Sequence, residues 1–136
     1  MAPAVAGTTY MQRILVIEDE VDLVKALHMR LDNWGFEVIA ALDAYEGTKL
    51  AMEENPDLII LDLMLPAGGG ISTLRNIRNS LKIRFIPVII LTGIKDEETK
   101  RCVTELGVSA YIEKPYSDKD LKAAIEQCLH NSEQGG

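Results

Sequence analysis

Cysteine is scarce in this 136-residue chain: Cys102 and Cys128 lie far apart, with no CxxC and no pair of histidines beside them. That excludes a disulfide scaffold or a zinc ribbon and leaves two small apolar residues in a reducing, cytoplasmic setting. Basic residues are outnumbered, 14 Lys and Arg against 21 Asp and Glu, for a net charge of −7. A chain of that sign is a poor non-specific binder of nucleic acid or of an anionic membrane, so neither is expected as a direct partner. Long apolar runs are missing, none reaching the ~18 residues a membrane span needs. The opening MAPAVAGTTY has no Lys or Arg and too short an apolar stretch for a signal peptide. Residues 1–11 are expected to be a disordered extension, with Met11 an alternative start, and residues 131–136 a disordered tail. Between them, residues 12–130 have the length of one domain.

What the chain does have is alternation. Short runs rich in Ile, Val and Leu recur at residues 14–17, 36–41, 58–61, 86–91 and 108–112. Continuous apolar runs of this length mark strands covered on both faces. The second and fifth carry Glu37 and Ser109, which suits edge strands. Helical stripes lie between them: Val24, Leu27, Leu31 and Trp34; Ile71, Leu74, Ile77 and Leu81; and Leu121, Ile125, Cys128 and Leu129. His28, beside the first stripe with no second ligand-type residue near, reads as structural. Asp43 with Glu46 predicts an N-cap and its capping-box partner, and Asp118 predicts a cap for the last helix. Residues 95–106 are mostly polar, which fits a partner-facing helix and a merely solvated one equally. Five β-α units with helical crossovers predict parallel strands and a three-layer α/β sandwich.

In such sheets ligands sit beyond the carboxyl ends of the strands. The residues there are Glu18-Asp19 in LVIEDE, Asp62 in DLIILD, Thr92 in VIILTG and Lys114-Pro115 in AYIEKP. Singly each has a plain role: a loop cap, a strand-end residue, a solvated charge. Together they place three carboxylates, a hydroxyl and an ammonium at one edge, if the strands that bear them are neighbours.

LVIEDE, LIILDLMLP, VIILTG and YIEKP, in this order, resemble the signatures of the receiver domain of two-component response regulators. The resemblance spans residues 12–130. It implies a flavodoxin-like (βα)5 sandwich with a parallel sheet of order 2-1-3-4-5, and a cis peptide before Pro115. It implies that Asp62 is the phosphoacceptor, charged by a histidine kinase or a histidine phosphotransfer protein. Mg²⁺ would bind Asp19 directly, Glu18 through water, Asp62, and the backbone carbonyl of Met64, a hard-oxygen set suited to that ion. Lys114 and the Thr92 hydroxyl would hold phosphoryl oxygens, and Thr92 with Tyr111 would form the switch. The helix 4, strand 5 and helix 5 face would then signal to a downstream protein or an attached effector domain, or form a phosphorylation-dependent dimer. No enzyme activity is implied beyond self-catalysed phosphotransfer and slow autodephosphorylation.

Three departures from that pattern carry expectations. Gly68-Gly69-Gly70 after Pro66 predicts a mobile loop beside the site, since each glycine costs roughly 0.5–1 kcal/mol to order. The first acid is Glu18 rather than Asp, which keeps metal binding. Met64 and Ile94, two residues after Asp62 and Thr92, cannot position a hydrolytic water by hydrogen bonding, so the phosphoryl group should be long-lived. Glu20 has no place in the pattern and reads as an acid favoured at a helix N-terminus. Two other classes compete. A haloacid-dehalogenase-type phosphatase needs a second acid where Met64 stands, and a degenerate receiver would act unphosphorylated as an interaction module. A flavin- or nucleotide-binding sandwich would want a small-residue phosphate loop where this chain has EDE.

Overall fold

The computed structural model describes residues 11–66 and 69–135. The elements alternate as the apolar runs predict. They are β1 (Arg13–Ile17), α1 (Val21–Asn33), β2 (Glu37–Ala41), α2 (Ala44–Glu54), β3 (Leu58–Leu61), α3 (Gly69–Asn79), β4 (Val88–Thr92), α4 (Glu97–Leu106), β5 (Ala110–Glu113) and α5 (Asp118–Gly135). The sheet is parallel throughout, in the order β2-β1-β3-β4-β5.

The sheet separates two apolar layers, and strand alternation feeds both. Leu15, Ile17, Ile59, Leu61, Val88 and Ile90 pack on one face with residues of α2, α3 and α4. Ile14, Val16, Leu58, Ile60, Ile89 and Leu91 pack on the other with residues of α1 and α5. This is why the central strands read as unbroken apolar runs: both pleat directions are buried, each such side chain contributing ~1.5–3 kcal/mol. β2 and β5, at the edges, are largely half-buried.

Local signals set most boundaries. The Asp43 carboxylate accepts the Glu46 N–H at 2.8 Å, so the predicted N-cap forms, while the Glu46 side chain accepts from the Leu42 N–H at 3.0 Å, one residue before the cap. Asp96 caps α4 by accepting from the Thr99 N–H. For α5 the cap is Ser117, whose hydroxyl accepts the Asp120 N–H at 3.0 Å; Asp118, expected there, is the first helical residue. Both side chains can cap, and the chain turns one residue earlier than its charge suggests.

Three further expectations are corrected. Leu81 is 82% exposed, because α3 stops at Asn79 and Ile83, in the turn that follows, takes the buried place instead. Gly69 and Gly70 are not loop residues but the buried first turn of α3; Gly68 lies outside the described residues. Glycine is required at 70 by close approach: a Cβ there would sit 2.3 Å from the Leu63 Cα. Lastly, α5 continues through Gly135, past the tail boundary expected at 131, since no glycine or proline interrupts it earlier. Residues 1–10 of the expected extension, and Gly136, lie outside the described residues.

Candidate functional site

Register brings the strand ends together. Ile17 pairs with Leu61, and Thr92 with Glu113, so Glu18 and Asp62 leave neighbouring strands side by side and Lys114 follows next to Thr92. Backbone bonds carry the pairing into the loops: the Glu18 N–H donates to Ala41, Asp62 to Ile17 and Lys114 to Thr92. The Lys114–Pro115 peptide is cis, as the resemblance implies.

Glu18 and Asp62 are only 4% and 5% exposed, and Thr92 is fully buried. Lys114 bridges the two acids, its Nζ 2.7 Å from Glu18 Oε1 and 2.9 Å from Asp62 Oδ2. The remaining oxygens take backbone donors: Asp62 Oδ1 accepts from the Met64 N–H at 2.9 Å, and Glu18 Oε2 from the Glu20 N–H at 3.1 Å. Every carboxylate oxygen of the pair therefore has a partner, as burial demands.

The two acids are nonetheless not equivalent. Burial pushes both upward. For Asp62 the Met64 N–H, the Lys114 ammonium and the Thr92 hydroxyl outweigh it, leaving the carboxyl below its usual range. For Glu18 burial prevails over its bonds to Lys114 and Glu20, and the charge of Asp62 adds to it, so the carboxyl lies above its usual range. Lys114 is raised in turn: burial opposes its charge, but the two carboxylates more than offset it. Asp62 is thus the anion the protein stabilises, and Glu18 the one it strains.

Not all the expected residues meet. Asp19 is exposed, and among the described residues no three Asp, Glu, His or Cys side chains form a group that could hold a metal. It is Lys114 that joins Glu18 to Asp62. The oxygens of these acids are nonetheless hard donors of the kind Mg²⁺ takes, an ion that keeps most of its water. The formal charges agree: three acids (Glu18, Asp19, Asp62) and one ammonium leave −2, which a divalent ion cancels. Glu20 is exposed at the N-cap of α1, as its dipole reading implies, and contributes only its backbone N–H to the pair.

Tyr111 packs against the layer of α2, α3 and α4, and its hydroxyl donates to the Ile94 carbonyl at 2.6 Å. The Ile94 N–H in turn points to the Thr92 hydroxyl, at 3.4 Å. Two contributors escaped the sequence reading. The Met64 N–H bond is an Asx-type turn, which the aspartate at a strand end could have signalled. The Glu20 N–H bond has no signal beyond adjacency.

A (βα)5 sandwich whose strand ends gather a buried aspartate, a second acid, a hydroxyl and a lysine has the build of a receiver-type signalling domain. Residues 14–126 match the model of the response regulator receiver domain, and the chain belongs to that family. It is 38% identical over 122 residues to the alkaline phosphatase synthesis transcriptional regulatory protein PhoP of Bacillus subtilis, covering 90% of this chain and 50% of that one. It is likewise 38% identical over 118 residues to the phosphate regulon transcriptional regulatory protein PhoB of Escherichia coli, covering 87% and 52%. The chain thus spans about half the length of these relatives. A CheY-like receiver domain protein of Methanospirillum hungatei superposes with a TM-score of 0.87 at 29% identity, over 93% of this chain and all of that one. Receiver domains are signalling modules of two-component systems, generally bind Mg²⁺ at an acidic phosphorylation site, and interact with kinases and effector domains. No helix among the described residues is long and apolar enough to cross a membrane.

Proposed function

We propose that Asp62 accepts a phosphoryl group from a histidine kinase or a histidine phosphotransfer protein, and that the change is read out on the face formed by α4, β5 and α5. The observation that carries this is the setting of Asp62: a carboxylate 5% exposed whose two oxygens accept from the Met64 N–H and the Lys114 ammonium, which help hold it below its usual range. A carboxylate oxygen of Asp62 attacks phosphorus as the bond from phosphorus to the donor nitrogen breaks, leaving an acyl phosphate and a neutral imidazole. Lys114 moves from bridging the acids to pairing with a phosphoryl oxygen, and the Thr92 hydroxyl donates to another. Asp19, Asp62 and the Met64 carbonyl would hold Mg²⁺ directly and Glu18 through water, and the ion would supply positive charge against the anionic charge that gathers there. When the Thr92 hydroxyl turns to the phosphoryl group, its link to the Ile94 peptide changes, and Tyr111, bonded to the same peptide, responds.

The flanking side chains support a long-lived state. Met64 offers an exposed thioether and Ile94 a half-buried alkyl group, neither able to orient a hydrolytic water. The output goes to a downstream protein, an attached effector domain or a phosphorylated dimer, in the cytoplasm, without direct contact of this domain with nucleic acid or membrane. Incubation with acetyl phosphate and Mg²⁺, followed by intact-mass spectrometry, tests the reading. One added phosphoryl group, lost in Asp62→Asn and persisting for minutes or longer, is expected. No adduct would point to an unphosphorylated interaction module, and catalytic turnover of the phosphodonor to a phosphatase.

A further inference from the structure

The residues around Tyr111 form a chain that does not stop at its hydroxyl. Tyr111 is bound at one end by the Ile94 carbonyl, 2.6 Å from its oxygen. Its ring lies under the Lys100 ammonium, 5.5 Å from the ring centroid. Lys100, on the second turn of α4, also forms an ion pair with Glu113 of β5. Glu113 is Tyr111's neighbour but one on the same strand, so the two side chains stand on the same side of β5. Lys100 therefore spans from the ring to the carboxylate and closes a bracket over the tyrosine.

The bracket has a second anchor on the site side. Glu113 pairs in register with Thr92, and the Lys114 N–H donates to the Thr92 carbonyl at 2.9 Å. A path of contacts thus runs from the Thr92 hydroxyl through the Ile94 peptide and the Tyr111 ring to Lys100.

We infer that Lys100 is a positioning residue of the switch: from α4 it holds Tyr111 in its core-packed, Ile94-bonded position, with Glu113 fixing the ammonium over the ring. This rests on the reading of Tyr111 as the switch aromatic. An ammonium over a tyrosine face is attracted by the ring's negative face, and a carboxylate partner limits the rotamers of the lysine that carries it. Both groups remain partly solvated, so the bias is modest, a factor of about two to five in the population of the held rotamer. A bias of that size sets the resting state of a two-state element without locking it.

NMR of the unphosphorylated protein, with the Tyr111 ring resonances assigned through Tyr111→Phe, tests this apart from any phosphotransfer. Lys100→Gln, which keeps most of the stem and removes the charge, is expected to shift the Tyr111 resonances toward a released rotamer by the two- to fivefold population change. Glu113→Gln should move them the same way by less, and Lys100→Arg, which retains cation and pairing, should restore the wild-type positions. Unmoved resonances in Lys100→Gln, or a shift that Lys100→Arg fails to reverse, would overturn the assignment. Acetyl phosphate labelling of the same variants tests the underlying reading separately. Failure to label wild type defeats the phosphoacceptor while leaving the NMR result to decide the role of Lys100.

Discussion

The two ends of the sheet place their charges in opposite ways, a buried acid pair at one and a half-buried arginine at the other. At the carboxyl ends, Glu18 and Asp62 face one another across Lys114, and the compromise leaves Glu18 electrostatically strained. At the amino ends, Arg78 of α3 reaches across to neutral acceptors. Its Nε donates to the Gly107 carbonyl at 2.8 Å, and its Nη1 to those of Arg84 and Ile86 at 3.0 and 2.9 Å. One end ties the loops around β4 and β5 with a cation whose partners cannot titrate. The other holds ionisable groups whose balance an incoming anion or cation can tip. Stability is located at the first and chemistry at the second.

The contrast can be broken from either side. The largest effect is expected from Lys114→Met. Removing the ammonium leaves two buried carboxylates facing each other and takes a donor from the phosphoryl oxygens. Labelling by acetyl phosphate should fall by about 10²-fold or more, as when one transition-state donor is lost. Arg78→Ala should leave labelling near wild type while lowering unfolding free energy by about 1–3 kcal/mol, read by urea denaturation, because three carbonyls lose their donor. A labelling defect in that variant matching Lys114→Met would erase the distinction between the two ends.

The smallest effect has the most informative sign. Glu18→Gln should stabilise the protein in metal-free buffer near pH 7, by ~0.5–1 kcal/mol, the scale of one hydrogen bond's net worth. Glu18 sits above its usual range in the folded state, so ionising it there works against folding. Its wild-type penalty is present above that raised pKa and fades as pH falls through it, so the advantage of Gln should shrink on acidification. Asp62 acts in the reverse sense: its lowered carboxyl supports folding above the usual aspartate pKa, and that support is lost as pH falls. Thermal melts of wild type and Glu18→Gln from pH 7 down to pH 4, with chelator present, would show the gap closing, the loss of Asp62's support falling below that range. A gap that widens on acidification would reverse the assignment of strain.

Much of this was legible in the residues because the fold leaves few choices for a doubly covered strand. Residues 14–17 and 58–61 are apolar in both pleat directions, and the polar residue that ends each run is a site residue. Glu18, Asp62 and Thr92 could be found by reading where apolar runs stop, and Lys114 lies one residue further, after Glu113. What stayed hidden depends on distance or on single steps of the chain. Nothing near Arg78 in sequence announces a carbonyl 29 residues away. Leu81 fits the stripe of α3, and only the end of that helix at Asn79 shows why it is outside. Asp19 is placed by family pattern rather than by a contact, so its part in binding a divalent ion is for Asp19→Asn melts with added Mg²⁺ to decide.

The cramped start of α3 reaches further than its own helix. Any β-carbon at position 70 must displace either the helix end or Leu63, and Leu63 is the next residue after Asp62. A mutation that never touches the acidic cluster would then tilt the aspartate it never meets. Substitutions at this glycine should therefore look like catalytic lesions, though the fault would lie in how tightly two backbones are stacked.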